Sequence, residues 1–378
     1  DQNHSAFWVA FFITFSTGLA AWFPVHNIHH DLRTRDGFLI TALFWTVLGL
    51  FGSLPFIFTN GLELSFTDAL FESLSGLTTT GATVITGLDT LPQSILYYRQ
   101  QLQWLGGIGI IVIAVAILPM LGIGGMQLYR AEAPGPVKDS KLTPRITETA
   151  KALFAIYLSL TVMCALAYWF AGMSLFDAIC HAYATVAIGG FSTHDASIGF
   201  FQSETIMAIC TLFMIVSGIN FGLHFFSWRS RSLMHFFRDP ECQLYLSAIL
   251  VGCVVTVVLL YSFRVFGFQD SVTHGVFQLV SILTTTGFAT TDFSAWPNVL
   301  PFILFYFAFM GGCAGSTGGG IKVIRILLLI KQGGREIKRL IHPNAIIPIK
   351  VGNTSVSDRV VDAVWGFFAV YVLAFFVM

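Results

Sequence analysis

The chain has 378 residues, of which 55% are hydrophobic and only 11% are charged. Soluble domains carry about 25% charged residues, so this composition excludes a protein that is surrounded by water alone. Twenty Lys and Arg balance twenty Asp and Glu, and the resulting net charge of zero argues against a nucleic-acid partner, which requires a basic face.

Long apolar segments recur along the chain and predict helices that cross a membrane. A helix needs about 20 apolar residues to span a hydrocarbon core about 30 Å thick. The segments of this length are 6–25, 37–58, 100–121, 152–172, 203–227, 243–266, 299–330 and 359–378. Shorter semi-apolar segments near 68–80, 176–188 and 273–285 predict re-entrant helices, which enter the membrane without crossing it. We therefore expect an all-α polytopic membrane protein.

Lys and Arg are concentrated in alternate connections between the predicted spans. They follow the first span, recur through 126–151, follow the span at 203–227, and recur between 331 and 359. The intervening connections, which hold the re-entrant segments, carry only Arg99 and Arg264. By the positive-inside rule we expect the basic loops to be cytoplasmic and the re-entrant segments to open outward.

The re-entrant segments form an internal repeat, in which Gly81, Gly190 and Gly287 fall at one register. A short helix that ends inside the membrane directs its negative dipole end at the interior, which favours a cation. The backbone carbonyls after it can replace the water shell of an ion. The residues expected to line this pathway are Thr79, Thr80, Gly81, Ile188, Gly189, Gly190, Thr285, Thr286 and Gly287. Few carboxylates accompany the glycines, so a monovalent ion fits better than calcium.

Polar residues also recur within the repeat. Asp68 and Asp177 each precede their glycine by 13 residues, where the third copy has His274, and both are predicted to be helix N-caps. A second shared position is occupied by Glu72, His181 and Gln278. We expect these three side chains to stabilise the short helices rather than to bind ions.

A glycine-rich segment interrupts the long apolar run at 299–330. It consists of Gly311, Gly312, Cys313, Ala314, Gly315, Ser316, Thr317, Gly318, Gly319 and Gly320. Each glycine costs a helix about 1 kcal/mol relative to alanine, so this segment is predicted to break the helix. A soft linker and a mobile plug in the ion path both remain open, and the depth of the segment favours the plug. Lys322, just after it, either repels cations near the path or extends to the membrane surface.

Five segments together resemble the Trk/Ktr/HKT superfamily of potassium transporters, most closely its bacterial TrkH/TrkG membrane subunits: 77–83, 103–109, 187–195, 283–288 and 311–322. The resemblance covers nearly the whole chain. It implies four non-identical helix–pore-helix–helix units around a central ion pathway, with a filter glycine in each unit. It also implies that a glycine at the first filter position, here Gly81, favours potassium over sodium, and that the broken helix holds a gate.

The resemblance further implies a division of the chain and a set of partners. The parts are a peripheral helix at 1–30, pore units at 31–129, 130–228 and 229–340, and the start of a fourth unit at 341–378. The sequence stops within an apolar run before a fourth filter loop, so the resemblance predicts a fragment of a longer chain, with a further helix before residue 1. Family members form homodimers in the bacterial inner membrane and bind a cytosolic ring of nucleotide-binding regulatory subunits.

Potassium uptake by a channel-like mechanism is the function that these features favour, with potassium as the transported ion and no bound cofactor. The alternative is an ion- or proton-coupled secondary transporter of a monovalent cation, although such proteins normally use two inverted repeats. We expect no enzyme activity, because no spacing pairs Ser316 with His194 or His224 as a hydrolase would require. Basic loops at 130–148 and 331–351 could bind a regulatory subunit or anionic membrane lipids.

Overall fold

The computed structural model describes residues 4–27, 34–112, 146–297, 299–352 and 354–377. Within these ranges the chain is almost entirely helical, and a small antiparallel hairpin places Ile349 opposite Val356. Most of the basic loop predicted at 130–148 lies outside the described residues, as does the end of the span predicted at 100–121.

The described part of the chain forms fifteen α-helices. In chain order they are α1 (His4–Trp22), α2 (Thr34–Gly52), α3 (Leu54–Phe58), α4 (Phe66–Leu77), α5 (Gln93–Val112), α6 (Ile146–Phe170), α7 (Leu175–Ala187), α8 (Glu204–Ser217), α9 (Phe221–Ser230), α10 (Met234–Arg238), α11 (Pro240–Ser262), α12 (Phe268–Leu283), α13 (Leu300–Ala308), α14 (Val323–Ile341) and α15 (Asp358–Val377). The hairpin strands β1 (Ile349–Val351) and β2 (Thr354–Val356) lie between α14 and α15.

Four described helices contain segments long and apolar enough to cross a membrane: His4–Trp22, Ala150–Phe170, Pro240–Ser262 and Asp358–Val377. The pair α8 and α9, bent by 92°, is a fifth candidate span. Large apolar side chains on these helices point away from the protein; Phe170 and Phe376 are each 79% exposed. Such surfaces suit contact with lipid rather than with water. The predicted fold class, an all-α polytopic membrane protein, is confirmed.

Each of the three short helices α4, α7 and α12 packs between two neighbouring helices. Helix α4 contacts α2 and α5, α7 contacts α6 and α8, and α12 contacts α11 and α13. Further contacts of α7 with α5, and of α12 with α8, connect these helix groups side by side. The three re-entrant segments are therefore surrounded by helices, where non-helical backbone at their ends is shielded from lipid.

Two predicted spans are not single helices. The segment 37–58 is divided at Ser53, because Pro55 favours the start of a new helix and cannot continue the hydrogen bonds of α2. The segment 203–227 bends between Ser217 and Phe221, where the Asn220 side chain caps α9 by accepting from the N–H groups of Gly222 and Leu223.

The prediction that Asp68 and Asp177 are N-caps is wrong by three residues. Ser65 and Ser174 are the N-caps, and each hydroxyl donates to the following aspartate carboxylate at 2.7 Å. The backbone N–H of that aspartate donates back to the serine Oγ, so each pair forms a reciprocal cap. Helix α12 starts after Gly267 instead and is longer than α4 and α7, which places His274 inside the helix.

Candidate cation pathway

Each of the three pore helices α4, α7 and α12 ends in the same backbone motif. The residue after the last turn has a left-handed conformation, with φ of 54° at Thr79, 54° at Ile188 and 68° at Thr285. The N–H of the residue after it donates to the carbonyl oxygen five positions earlier in the chain. In the first copy this hydrogen bond runs from Thr80 to Ser75 and is 2.9 Å long. This is the Schellman arrangement, which normally has glycine at the left-handed position. The three non-glycine residues are held there against a local backbone cost of about 1–3 kcal/mol each.

The glycine two residues later is also left-handed in every copy. The φ values are 77° at Gly81, 78° at Gly190 and 88° at Gly287. Glycine adopts this conformation without the steric penalty that a Cβ atom would bring. Each loop therefore has two residues with positive φ, separated by a single residue. The second of them is glycine in all three copies, because glycine adopts this conformation at little cost.

The three loops lie against one another. A Cβ atom placed on Gly81 would overlap the carbonyl oxygen of Gly189 and lie 3.4 Å from that of Thr286. A Cβ atom on Gly190 would likewise overlap the Thr286 carbonyl oxygen. None of the described residues lies within 4 Å of a Cβ atom placed on Gly287, so the third loop is open on the side that this atom would face. The structure thus brings the predicted pathway residues of all three copies together.

Threonine hydroxyls brace two of the loops. Thr78 and Thr80 share a hydroxyl hydrogen bond at 2.8 Å, and Thr284 and Thr286 share one at 2.7 Å. The second copy has no threonine at these positions, and Ile188 occupies its left-handed site. The hydroxyls therefore support the loop conformation in two copies but are not required for it.

A fully buried ion pair lies behind the first loop. The Nε of Arg99 donates to the Glu72 carboxylate at 2.7 Å, and both side chains are 0% exposed. Arg99 also donates to the Thr83 hydroxyl at 2.9 Å and to the Ser192 carbonyl oxygen at 3.1 Å. Its guanidinium carbon lies 4.3 Å from the centre of the Phe191 ring. Arg99 therefore joins the first loop to the second.

The side chains at the position that Glu72 shares with His181 and Gln278 form hydrogen bonds to the chain after the loop glycine in two copies. Glu72 accepts from the Thr83 hydroxyl, and the His181 Nε2 lies 2.9 Å from the Ser192 hydroxyl. Both partners lie two residues after the loop glycine, where the third copy has Ala289. The Gln278 Oε1 accordingly has no hydrogen-bond partner among the described residues.

Gln103 makes a second bridge from α5 to the second loop. Its Nε2 donates to the Gly189 carbonyl oxygen at 2.6 Å, and its Oε1 accepts from the Phe191 N–H at 3.1 Å. Sequence reasoning treated Gln103 only as part of a motif and gave Arg99 no role. Polar residues inside an apolar span were the available signal.

Charged residues join the segments that follow the first two loops. His194 Nδ1 contacts the Asp89 carboxylate at 2.5 Å, and the Asp195 carboxylate accepts from the N–H groups of Gly87 and Leu88 at 3.1 and 3.0 Å. The hydrogen bond from His194 lowers the pKa of Asp89, which lies near the surface, below its ordinary value of 3.8. This network joins the segments that follow the first two loop glycines.

The glycine-rich segment 311–320 is an irregular loop, as predicted, and separates α13 from α14. It is attached to the bend between α8 and α9: the Cys313 N–H donates to the Gly218 carbonyl oxygen at 2.8 Å, and the Asn220 Nδ2 donates to the Ala314 carbonyl oxygen at 2.5 Å. Ser316 donates to the Cys313 carbonyl oxygen, and so serves the loop itself rather than a histidine.

The same loop contacts the ends of the pore helices. The Gly319 N–H donates to the Thr285 hydroxyl at 2.8 Å, and the Thr317 hydroxyl donates to the Val186 carbonyl oxygen at 3.0 Å. Thr317 is fully buried, and the Lys322 ammonium group donates to the Gly318 carbonyl oxygen. The loop therefore lies next to the C-terminal ends of α7 and α12.

Membrane helices, inserted pore helices and glycine loops that meet face to face define a membrane protein of the cation-transporting class. The cation transport proteins of the TrkH family match residues 3–378. The chain therefore belongs to the TrkH family.

Individual relatives agree with this assignment. The Trk system potassium uptake protein TrkH of Halomonas elongata is 62% identical over 379 residues, which cover all of this chain and 78% of the relative. The protein of the same name in Escherichia coli K12 is 56% identical, with the same coverage. The crystal structure of the potassium transporter TrkH from Vibrio parahaemolyticus has a TM-score of 0.91 at 53% identity, and covers 100% of this chain and 78% of that chain.

Proposed function

We propose that the protein takes up potassium through a channel-like pathway whose filter is built from the backbone of the three loops. The observation that carries this proposal is the pair of left-handed residues in each loop, together with the close approach of Gly81 to the Gly189 carbonyl group and of Gly190 to the Thr286 carbonyl group. The names of the relatives, which are potassium uptake proteins, support potassium as the ion.

The chemistry of the loops suits a monovalent cation. After each pore helix the chain continues as non-helical backbone, in which a row of carbonyl oxygens can face an ion. Carbonyl oxygens in such rows replace the hydration shell of potassium. The ends of α4, α7 and α12 add the negative ends of three helix dipoles. The filter residues proposed are the nine given above, from Thr79 to Gly287.

The open side at Gly287 supports a fourth wall. In a four-unit arrangement, the loop of the last unit would lie there and contact Gly287 as Gly189 contacts Gly81. The same arrangement assigns 31–129, 130–228 and 229–340 to the first three units and places 341–378 at the start of the fourth. Residues 1–30 then form a peripheral helix.

We also propose that the loop 311–320, with Lys322, is the gate of the pathway. Its support is the contact of Gly319 with Thr285 and of Thr317 with Val186, which places the loop beside the inner ends of the pore helices. The hydrogen bond of Lys322 to Gly318 brings a positive charge to the loop, where it would oppose a passing cation. The carbonyl and hydroxyl contacts favour a plug over a soft linker.

The direct test is Gly81→Ser with potassium and sodium fluxes measured in proteoliposomes. The added side chain would meet the Gly189 carbonyl oxygen, so the potassium-to-sodium flux ratio should fall. Gly172→Ser is the matched control, because Gly172 is also left-handed, with φ of 103°, but has open space around it. An unchanged ratio in Gly81→Ser would remove the filter assignment.

We infer the surroundings of the protein from the charge pattern and the family. The basic loops would be cytoplasmic and the pore helices would open to the outside of a bacterial inner membrane. A homodimer that binds a ring of nucleotide-binding subunits would fit the name "Trk system" of the relatives. Collapsing the proton and sodium gradients distinguishes this function from an ion-coupled transporter. A channel-like protein would continue to carry potassium down the potassium gradient, whereas a coupled transporter would stop.

A further inference from the structure

Two buried side chains of α5, Arg99 and Gln103, lie one helical turn apart and contact neighbouring filter loops. We propose that this pair, which we call the α5 clamp, consists of positioning residues that fix the distance between the first and second walls, and so set the discrimination between potassium and sodium. The inference rests on the proposed filter.

Gln103 holds the second wall at its backbone. Its single amide group donates to the Gly189 carbonyl oxygen and accepts from the Phe191 N–H, at 2.6 and 3.1 Å. These two bonds enclose Gly190, so they fix the orientation of the residues on both sides of the proposed filter glycine. The hydrogen bond from Gln103 restricts rotation of the Gly189 carbonyl group.

Arg99 holds both walls at once. Its guanidinium group donates to Glu72 and Thr83 of the first copy and to the Ser192 carbonyl oxygen of the second. The planar fork of arginine presents these donors in fixed directions, which the single ammonium group of lysine does not reproduce.

The burial of the pair argues for a specific role. Arg99, Glu72 and Gln103 are all 0% exposed. Charged and amide groups that are withdrawn from water carry a desolvation cost, and apolar residues of similar size often stabilise a protein as well or better. A polar arrangement that bridges two loops beside the ion path does what apolar packing cannot, because it fixes directions as well as distances.

Selectivity depends on the relation between the walls. A smaller ion such as sodium is bound well only when the oxygens can move inward, whereas potassium suits a wider ring. A clamp that resists such movement therefore favours potassium. Loss of the α5 clamp should therefore change the potassium-to-sodium flux ratio more than it changes the potassium flux.

The experiment compares four variants in proteoliposomes, each with potassium, rubidium and sodium fluxes. Gln103→Leu breaks both hydrogen bonds of the amide and should lower the potassium-to-sodium ratio roughly tenfold, while potassium flux is retained. Arg99→Lys keeps the charge opposite Glu72 and should lower the ratio in the same direction. Gln100→Leu is the control, because Gln100 is equally buried on α5 and neither of its amide atoms has a hydrogen-bond partner among the described residues.

Gly81→Ser is the fourth variant and separates the two proposals. Wild-type ratios in both Gln103→Leu and Arg99→Lys, together with a reduced ratio in Gly81→Ser, would overturn the clamp and leave the filter. An unchanged ratio in Gly81→Ser would overturn the filter assignment itself. A drop in Gln100→Leu as large as that in Gln103→Leu would also overturn the clamp, since it would show a general effect of altering α5. If Gln103→Leu does not fold, Arg99→Lys decides the matter.

Discussion

The Thr285 hydroxyl accepts a hydrogen bond from the backbone N–H of Gly319 at 2.8 Å, which joins the loop after α12 to the glycine-rich loop. Thr285 is also the left-handed residue that ends α12. A movement of the glycine-rich loop would therefore act on a residue of the proposed filter. This hydrogen bond brings the proposed gate and the proposed filter into direct contact.

Loss of the Thr317 hydroxyl should raise potassium flux. Thr317 attaches the loop to the Val186 carbonyl oxygen, so Thr317→Val weakens the closed arrangement while keeping the size of the side chain. We expect a several-fold increase, since the net worth of such a bond is about 1 kcal/mol. Thr317→Ser keeps the hydroxyl and should behave like the wild type. Equal fluxes in the valine variant and the wild type would reduce the loop to a linker.

Asn220 has two separable roles, as a helix cap and as a donor to the glycine-rich loop. Asn220→Ser keeps a side-chain oxygen that can cap α9 but loses the amide donor to the Ala314 carbonyl oxygen. Asn220→Ala loses both, so it should be less stable than the serine variant by about 1 kcal/mol, the usual worth of a cap. Thermal unfolding in detergent measures this difference. Equal unfolding temperatures in the two variants would show that the cap is not important.

The serine caps of the pore helices should each stabilise the protein. Ser174→Ala removes the acceptor for the Asp177 N–H and should cost about 1 kcal/mol in the free energy of unfolding. Ser159→Ala is the matched control, because Ser159 lies on the exposed side of α6 and its hydroxyl donates to the Ala155 carbonyl oxygen of its own helix, with no other hydrogen bond among the described residues. A loss of the same size in both variants would contradict the capping role.

The contact between Asp89 and His194 should weaken in acid. The pKa of Asp89 is lowered in the folded protein, so its contribution to stability is present above its ordinary value of 3.8 and is lost as the pH falls through the folded value. The gap in unfolding temperature between the wild type and Asp89→Asn should therefore shrink as the pH is lowered from about 5 to about 3. A gap that stays constant over this range would show that the carboxylate does not stabilise the fold.

The parts of the fold that sequence predicts well are those with a local signal. The glycines at 311–320 cannot sustain a helix, and the register of Gly81, Gly190 and Gly287 fixes three equivalent loops. The apolar run continues through Gly218 and so conceals the bend there, although Asn220, a favoured cap residue, signals it. Aspartate is itself a favoured cap residue, so the sequence predicts caps at Asp68 and Asp177 instead of at the serines three residues earlier.

The parts that sequence could not predict depend on contacts between distant segments. Arg99 and Ser192 are separated by 93 positions, and Gln103 and Gly189 by 86. Neither pair carries a local pattern, since only the packing of α5 against α7 brings them together. The meeting of the three loops is of the same kind: each loop is local, but its contact with the next depends on the arrangement of the helices around it.

The Schellman ends of the pore helices have a consequence for how such proteins are recognised. Ile188 adopts the same φ as Thr79, although its side chain shares no functional group with threonine. The three loops share a backbone conformation rather than a set of side chains. The residue types of the motif can therefore differ as long as the helix ends with the same backbone conformation. A search by the string Thr-Thr-Thr-Gly finds two of these copies and overlooks the third, whereas a search by torsion angles finds all of them.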